Sequence, residues 1–308
     1  MKRSSRAGRL TQLERNQRTT GIFFILPSLV LCAIFMVVPL INVIRYSLTD
    51  WDGLSKTYNF VGLYNYMHLH EIEGFGEMML ATVTFAIGVT AITIIVSFLA
   101  ALALDKRGRD RLPRGLMRAL WFFPALLSGA VVGILWRIMY NYNNGVINKI
   151  ITSAGLPAVN WLETRGVTNI AIIIGAAWVQ IGLCVVVFLA GLQSIPQEMY
   201  EAASIDGATK GRQFLSITIP LISPVIFYNL VTQLVQAFQE FNGPYIITNG
   251  GPRGSTTLIS LLVYNYAFKS YDMGMASALA WIMFIIVCVL TIIAFTSQKK
   301  WVYYSDER

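Results

Sequence analysis

Apolar residues in this chain come in long, nearly unbroken runs. A helix needs about 20 residues to cross a bilayer core of about 30 Å. Six runs meet that length, at residues 21–48, 79–104, 115–139, 168–193, 219–239 and 274–297. A seventh patch, 257–268, is too short to span and carries Asn265, so it is expected at the interface or against the bundle. Polar residues gather between the runs. The pattern predicts an all-α membrane protein with six transmembrane helices in one domain, 21–297, between a basic N-terminus (1–20) and a short tail (298–308). The first run is longer than a signal-peptide core of about 7–15 residues, so it is read as a retained span. No internal repeat shows, and no Pro- or Gly-rich linker divides the chain.

Composition supports lipid as the solvent. Of 308 residues 55% are hydrophobic and 13% charged, where a soluble domain carries about 25% charged. The net charge of +8 does not point to nucleic acid, because the cations lie at membrane edges rather than on one soluble face. With a cytoplasmic N-terminus, the inner segments 1–20, 105–118, 195–218 and 298–308 carry 17 Lys and Arg, against five in the outer segments 49–78, 140–167 and 240–273. The positive-inside rule therefore places both termini in the cytoplasm. Arg45 and Arg137, near outer helix ends, are expected to snorkel to the headgroups. Trp51, Tyr58, Tyr64, Tyr66 and Trp161 cluster in the outer loops, near the interface that such rings prefer. Cys32, Cys184 and Cys288 sit in apolar runs and read as small buried hydrophobes. His68 and His70 read as solvated loop residues rather than a metal pair, and no metal ligand set stands out.

The longest polar stretch of the second half, "QEMYEAASIDGATKGRQFLSITIP" at 197–220, falls on the cytoplasmic side in this arrangement. Pro196 suits a first helical position, and Glu198 and Glu201 suit the first turns of a helix. Met199, Ala202, Ala203 and Ile205 give that helix an apolar side, and Gly207 suits a left-handed helix end. A second short helix is expected to carry Lys210 and Arg212, with Pro220 opening the fifth span. The loop, 195–219, is far longer than the usual connection of about 2–8 residues. Two readings stay open on the residues alone: a docking surface for a partner, and an interfacial hairpin that orients the spans.

The spacing Glu201-Ala202-Ala203, then Gly207, then Ile217, then Ile219-Pro220 resembles the "EAA" loop of ABC import permeases. Isoleucine stands before Pro220, where the family pattern has leucine. "LQSIPQEMYEAASIDGA", "TNGGPRGST", "YDMGMASALAW" and "FFPALLSGAVVGILWR" are similar to segments of the binding-protein-dependent sugar permeases of the maltose and glycerol-3-phosphate type, in particular the first of their two permease subunits. The resemblance covers nearly the whole chain. It implies the MetI-like permease core with a cytoplasmic coupling helix, in a bacterial or archaeal inner membrane. It implies Glu201, Ala202, Ala203, Asp206, Gly207, Ile217 and Pro220 as the segment that meets an ATPase. The implied partners are a second permease subunit, two ATPase subunits holding ATP and Mg, and an extracytoplasmic binding protein. The chain itself is expected to hold no cofactor and to be no enzyme: it lacks GxxxxGK[ST], HExxH and GxSxG.

Span five is unusual in its polar side chains. Asn229, Gln233, Gln236 and Glu240, at steps of four, three and four, fall within an arc of roughly 60° at about 100° per residue. Polar side chains inside a membrane tend to face a cavity or the bundle interior, or they bind helices together; both readings stay open. Tyr228 and Phe238 add rings on which a sugar face can stack. The resemblance adds Trp178 and Gln180 on span four. Span five has no cation, so the substrate expected from it is a neutral sugar, with import of glycerol-3-phosphate or a related ester by the same class as an alternative. An ion-coupled carrier is the alternative class. Such carriers often show inverted repeats and midplane carboxylates; here no repeat shows, and Glu240 lies near the edge.

Overall fold

The computed structural model describes residues 12–105 and 114–303. The basic residues at 2–9 and 106–111, and Arg308, lie outside it. The described residues are helical throughout, apart from loops and one isolated bridge between Thr49 and Phe60.

The first span begins as α1 (Gln12–Cys32), passes through a π-turn at Ala33–Val37 and continues as α2 (Val38–Ser47). Along its membrane-length part, Thr20–Ser47, Ser47 at the far end is the one buried residue. After a loop come the short α3 (Tyr64–Met67) and the long α4 (Phe75–Leu104). Asn65 donates to the carbonyls of Ser47 and Thr49, both at 2.9 Å, and so supports the open end of α2. In the same loop the Ser55 hydroxyl and the Ser55 and Leu54 N–H groups donate to Asp52 and hold its carboxyl down at about 2. His68 donates a ring N–H to the Tyr64 carbonyl and stacks on its ring at 3.7 Å.

The expected third span is not one rod. It comprises α5 (Arg114–Phe122) with a 3-10 turn at Phe123–Leu126, then α6 (Gly129–Met139), and the two parts meet at 99°. The residues explain the break. Pro124 cannot donate to a helix ladder, Leu127 and Ser128 are extended, and Ser128 caps α6 by accepting the Val131 N–H at 3.4 Å.

Next come α7 (Val146–Ser153), α8 (Val167–Ser194), α9 (Gln197–Ile205), α10 (Lys210–Gln213), α11 (Ile219–Phe238), α12 (Ile259–Tyr264) and α13 (Met273–Gln298). Among the described residues five helices, with the bent pair as a sixth, are long and apolar enough to cross a membrane. The core forms where α4 and α8 face each other, around Phe85, Val89, Ile172 and Val185, with α11 laid against both. Small residues set the closest approaches. A Cβ at Gly182 would lie 2.1 Å from the Trp121 carbonyl oxygen, so α5 and α8 touch backbone to side. α12 packs against α13 through Leu262 and Leu279, which settles the short seventh patch as part of the bundle. Of the cysteines, Cys184 is buried, Cys288 half-buried and Cys32 exposed along the first span.

Candidate coupling segment and translocation cavity

The polar segment folds as a helix with a stiff exit. Pro196 precedes the helix as its cap rather than opening it. At the far end Gly207, at φ +80°, takes the left-handed conformation. The Gly207 N–H reaches the Ser204 carbonyl at 3.1 Å and the Ala208 N–H the Ala203 carbonyl at 2.9 Å. This is the paired closure of a Schellman motif. Gln213 then donates to the Ser204 hydroxyl and the Ala208 carbonyl, and the Tyr200 and Thr218 hydroxyls pair at 2.9 Å. The turn is therefore tied to the helices on both sides of it.

The second helix is not separate from the fifth span. α10 runs through a π-turn at Phe214–Thr218 into α11, and Pro220 lies inside a continuous helical path that begins at Lys210. A proline ring clashes with the carbonyl four residues back in a regular helix. The wider turn takes up that clash: the Ile219 N–H bonds the Phe214 carbonyl, five residues back.

Among the sequence-predicted residues of this segment, Glu201, Ala202, Asp206 and Gly207 are exposed, and Ala203, Ile217 and Pro220 are half-buried. Glu201 accepts from Gln197 at 2.9 Å. Ile205 is 88% exposed, and Met199 is also exposed. The helix therefore carries two exposed apolar side chains within an otherwise polar segment.

The predicted pathway residues separate into four environments. Gln180 and Glu240 line one cavity of about 160 Å³ together with Gly129, Gly133 and Gly175. The Gln180 Oε1 is buried with no partner, and Glu240 accepts the Gly243 N–H at 3.0 Å. Asn229 and Gln233 are each only 2% exposed inside the bundle. Asn229 donates back to the Val225 carbonyl, and the Gln233 Oε1 has no partner. Gln236 is exposed. Trp178 meets Trp136 edge to face at 5.7 Å, within a stack that continues to Tyr140 and Trp161. Phe238 is 1% exposed and belongs to the core, so it offers no face to a sugar; Tyr228 is exposed.

Sequence reasoning missed the other wall of the cavity. The broken span presents Gly129 and Gly133 to a π-turn at Gly243–Thr248, and a Cβ at either glycine would collide with Asn242 or Ile246. Irregular backbone at membrane depth is tolerated where it is buried in protein or lines a cavity. Pro124 and Ser128 were the visible signal. Arg137 is exposed near the end of α6, and it lines a second cavity of about 480 Å³ with Tyr245, Asn249 and the also exposed Lys269.

Comparisons with known proteins agree with this architecture. The model of the family described as binding-protein-dependent transport system inner membrane component matches residues 93–301. The chain is 34% identical over 283 residues to the trehalose/maltose transport system permease protein MalF of Thermococcus litoralis, covering 92% of this chain and 95% of the relative. It is 34% identical to the multiple sugar-binding transport system permease protein MsmF of Streptococcus mutans, covering 91% and 95%. It is 32% identical to the sn-glycerol-3-phosphate transport system permease protein UgpA of Agrobacterium fabrum, covering 90% and 94%. A chain of a bacterial alginate ABC transporter, solved with an alginate pentasaccharide-bound periplasmic protein, shares the fold at a TM-score of 0.81 and 21% identity, covering 94% of this chain and 98% of that one. With its bundle, its broken span and this match over two thirds of its length, the chain belongs to the family of binding-protein-dependent transport system inner membrane components, the membrane permease subunits of ABC importers.

Proposed function

We propose that the chain is one of two permease subunits of an importer that moves a sugar or oligosaccharide across a bacterial or archaeal inner membrane. Both termini lie in the cytoplasm in this reading, following the charge bias of 17 cations against five. An extracytoplasmic binding protein delivers the substrate. Two ATPase subunits hold ATP and Mg, and the chain works as their membrane partner rather than as an enzyme.

The observation that carries this reading is the tied helix–turn with its bare apolar tip. Glu201 offers a charge to basic groups of an ATPase, Ala202 and Ala203 permit close approach, and Ile205 offers an apolar anchor. The Schellman turn at Asp206–Gly207, with Ile217 and Pro220 beyond it, passes displacement into α11 as one body. Gln180 and Glu240, at the far end of α11 from the turn, line the substrate path; Gln236, on the exposed side, meets the second permease or the substrate. Asn229, Gln233 and Trp178 hold the bundle around that path. The relatives named for sugars support the substrate class.

Glu201→Lys and Gly207→Asp test the coupling role in the reconstituted importer. Both variants are expected to insert into the membrane and to lose substrate-stimulated ATP hydrolysis. Normal stimulation in either variant would sink the assignment.

A further inference from the structure

The second cavity carries chemistry that a path for neutral sugars does not need. Its lining brings Arg137 from the last turn of α6 to Lys269, which ends the π-turn Asn265–Lys269 after α12. Neither cation has an ion-pair partner among the described residues. Lys269 is steadied by rings: its Nζ stands 5.7 Å from the Tyr245 centroid and 5.8 Å from that of Tyr264. Those rings continue to Phe241 and Phe268, with neighbouring centroids 4.9–5.4 Å apart. Guanidinium and ammonium beside aromatic faces suit a ring-shaped solute that bears an anion.

The two cavities are neighbours. Ile247 lines both, and Gly133 of the first lies one helical turn before Arg137 of the second. About 480 Å³ of concave space falls within the range of small-molecule sites, roughly 300–1,000 Å³. A concavity next to the path favours a solute over the surface of a docked protein. Glu240 fixes the direction. Its carboxylate lines the first cavity and repels an anion from it.

We infer that the second cavity holds an anionic substituent, a carboxylate or a phosphate ester, on the sugar that this permease moves. The inference rests on the sugar reading above. The anionic end sits beside the exposed Arg137 and Lys269 side chains that line this cavity, and the uncharged ring points toward Gln180, whose buried, unpartnered Oε1 accepts a hydrogen bond from a sugar hydroxyl.

The test uses the full chain assembled with its partner subunits in lipid nanodiscs, titrated calorimetrically with three probes: a hexuronate disaccharide, a hexose phosphate and a neutral hexose disaccharide. At low salt one or both anions are expected to bind roughly tenfold more tightly than the neutral sugar, the difference shrinking as salt rises. A response to the uronate alone identifies the carboxylate, and a response to the phosphate alone identifies the ester. Arg137→Gln and Lys269→Gln should each remove about tenfold from anion affinity, with Arg137→Lys restoring part of it. Copurification of the partner subunits shows that each variant is folded. Anions binding no more tightly than the neutral sugar overturn the inference and leave the sugar reading standing. So does a variant that raises only the concentration of binding protein needed for stimulation, which would make the cavity a docking surface. Binding of none of the three probes overturns the sugar reading as well.

Discussion

At the scale of single residues, two glycines of this chain show opposite reasons for being glycine. Gly207 has open space around a built Cβ but a φ of +80°, so a side chain there costs only the left-handed conformation, about 1–2 kcal/mol. Gly182 has an ordinary helical conformation and no space, its Cβ position lying 2.1 Å from the Trp121 carbonyl oxygen. Gly182→Leu is expected to push α5 from α8 and to destabilise the fold by about 3 kcal/mol or more, as overpacking does at its upper end; Gly207→Ala should lower the melting temperature far less. Thermal unfolding of the two variants in detergent compares them, and equal losses would refute the distinction. The role of Gly207 was legible, because a glycine three residues before Lys210 and after an apolar helix face is a helix stop. The role of Gly182 was not, because its neighbour is 61 residues earlier in the chain. Arg137 was illegible for the same reason: its companion Lys269 arrives from a different element.

At the scale of elements, apolar length predicted where the spans lie but not whether each is straight. Runs at 168–193 and 274–297 became α8 and α13 with ends shifted by a residue or so. The run at 115–139 has the same apolar length and bends by 99°, since hydropathy is blind to a missing N–H at Pro124 and to the capping oxygen of Ser128. Conversely, Pro220 looked like a boundary, yet a π-turn lets the helix run past it. Ser128→Ala removes the cap of α6 and is expected to cost about 1 kcal/mol. Loss of the cap should also loosen Gly129 and Gly133 against the Gly243–Thr248 turn. Hydrogen exchange of the Val131 and Val132 amides should rise several-fold in the variant. Unchanged protection there would show that the bend holds without its cap.

At the scale of the whole molecule, the proposed handle and the proposed path stand at opposite ends of one helix. α11 has 20 residues, about 30 Å at 1.5 Å per residue, and it is entered from α10 without a break. On the proposed reading a helix of that length acts as a lever that carries displacement at Gly207 toward Glu240. Replacing Leu230 and Val231 with glycine adds about 2 kcal/mol of helix cost and softens the rod at its middle. ATP hydrolysis by the assembled importer is then expected to persist while uptake per ATP falls. A parallel fall in both would argue against the lever.

Ile205, 88% exposed at the end of α9, also bears on the supply of subunits. With that helix on the cytoplasmic side, a copy that has not met its ATPase carries a bare isoleucine into water. Proteases and chaperones that survey apolar helix ends find such copies first. Unassembled subunits are therefore expected to turn over faster than assembled ones. On that expectation one side chain would link the abundance of the permease to that of its motor.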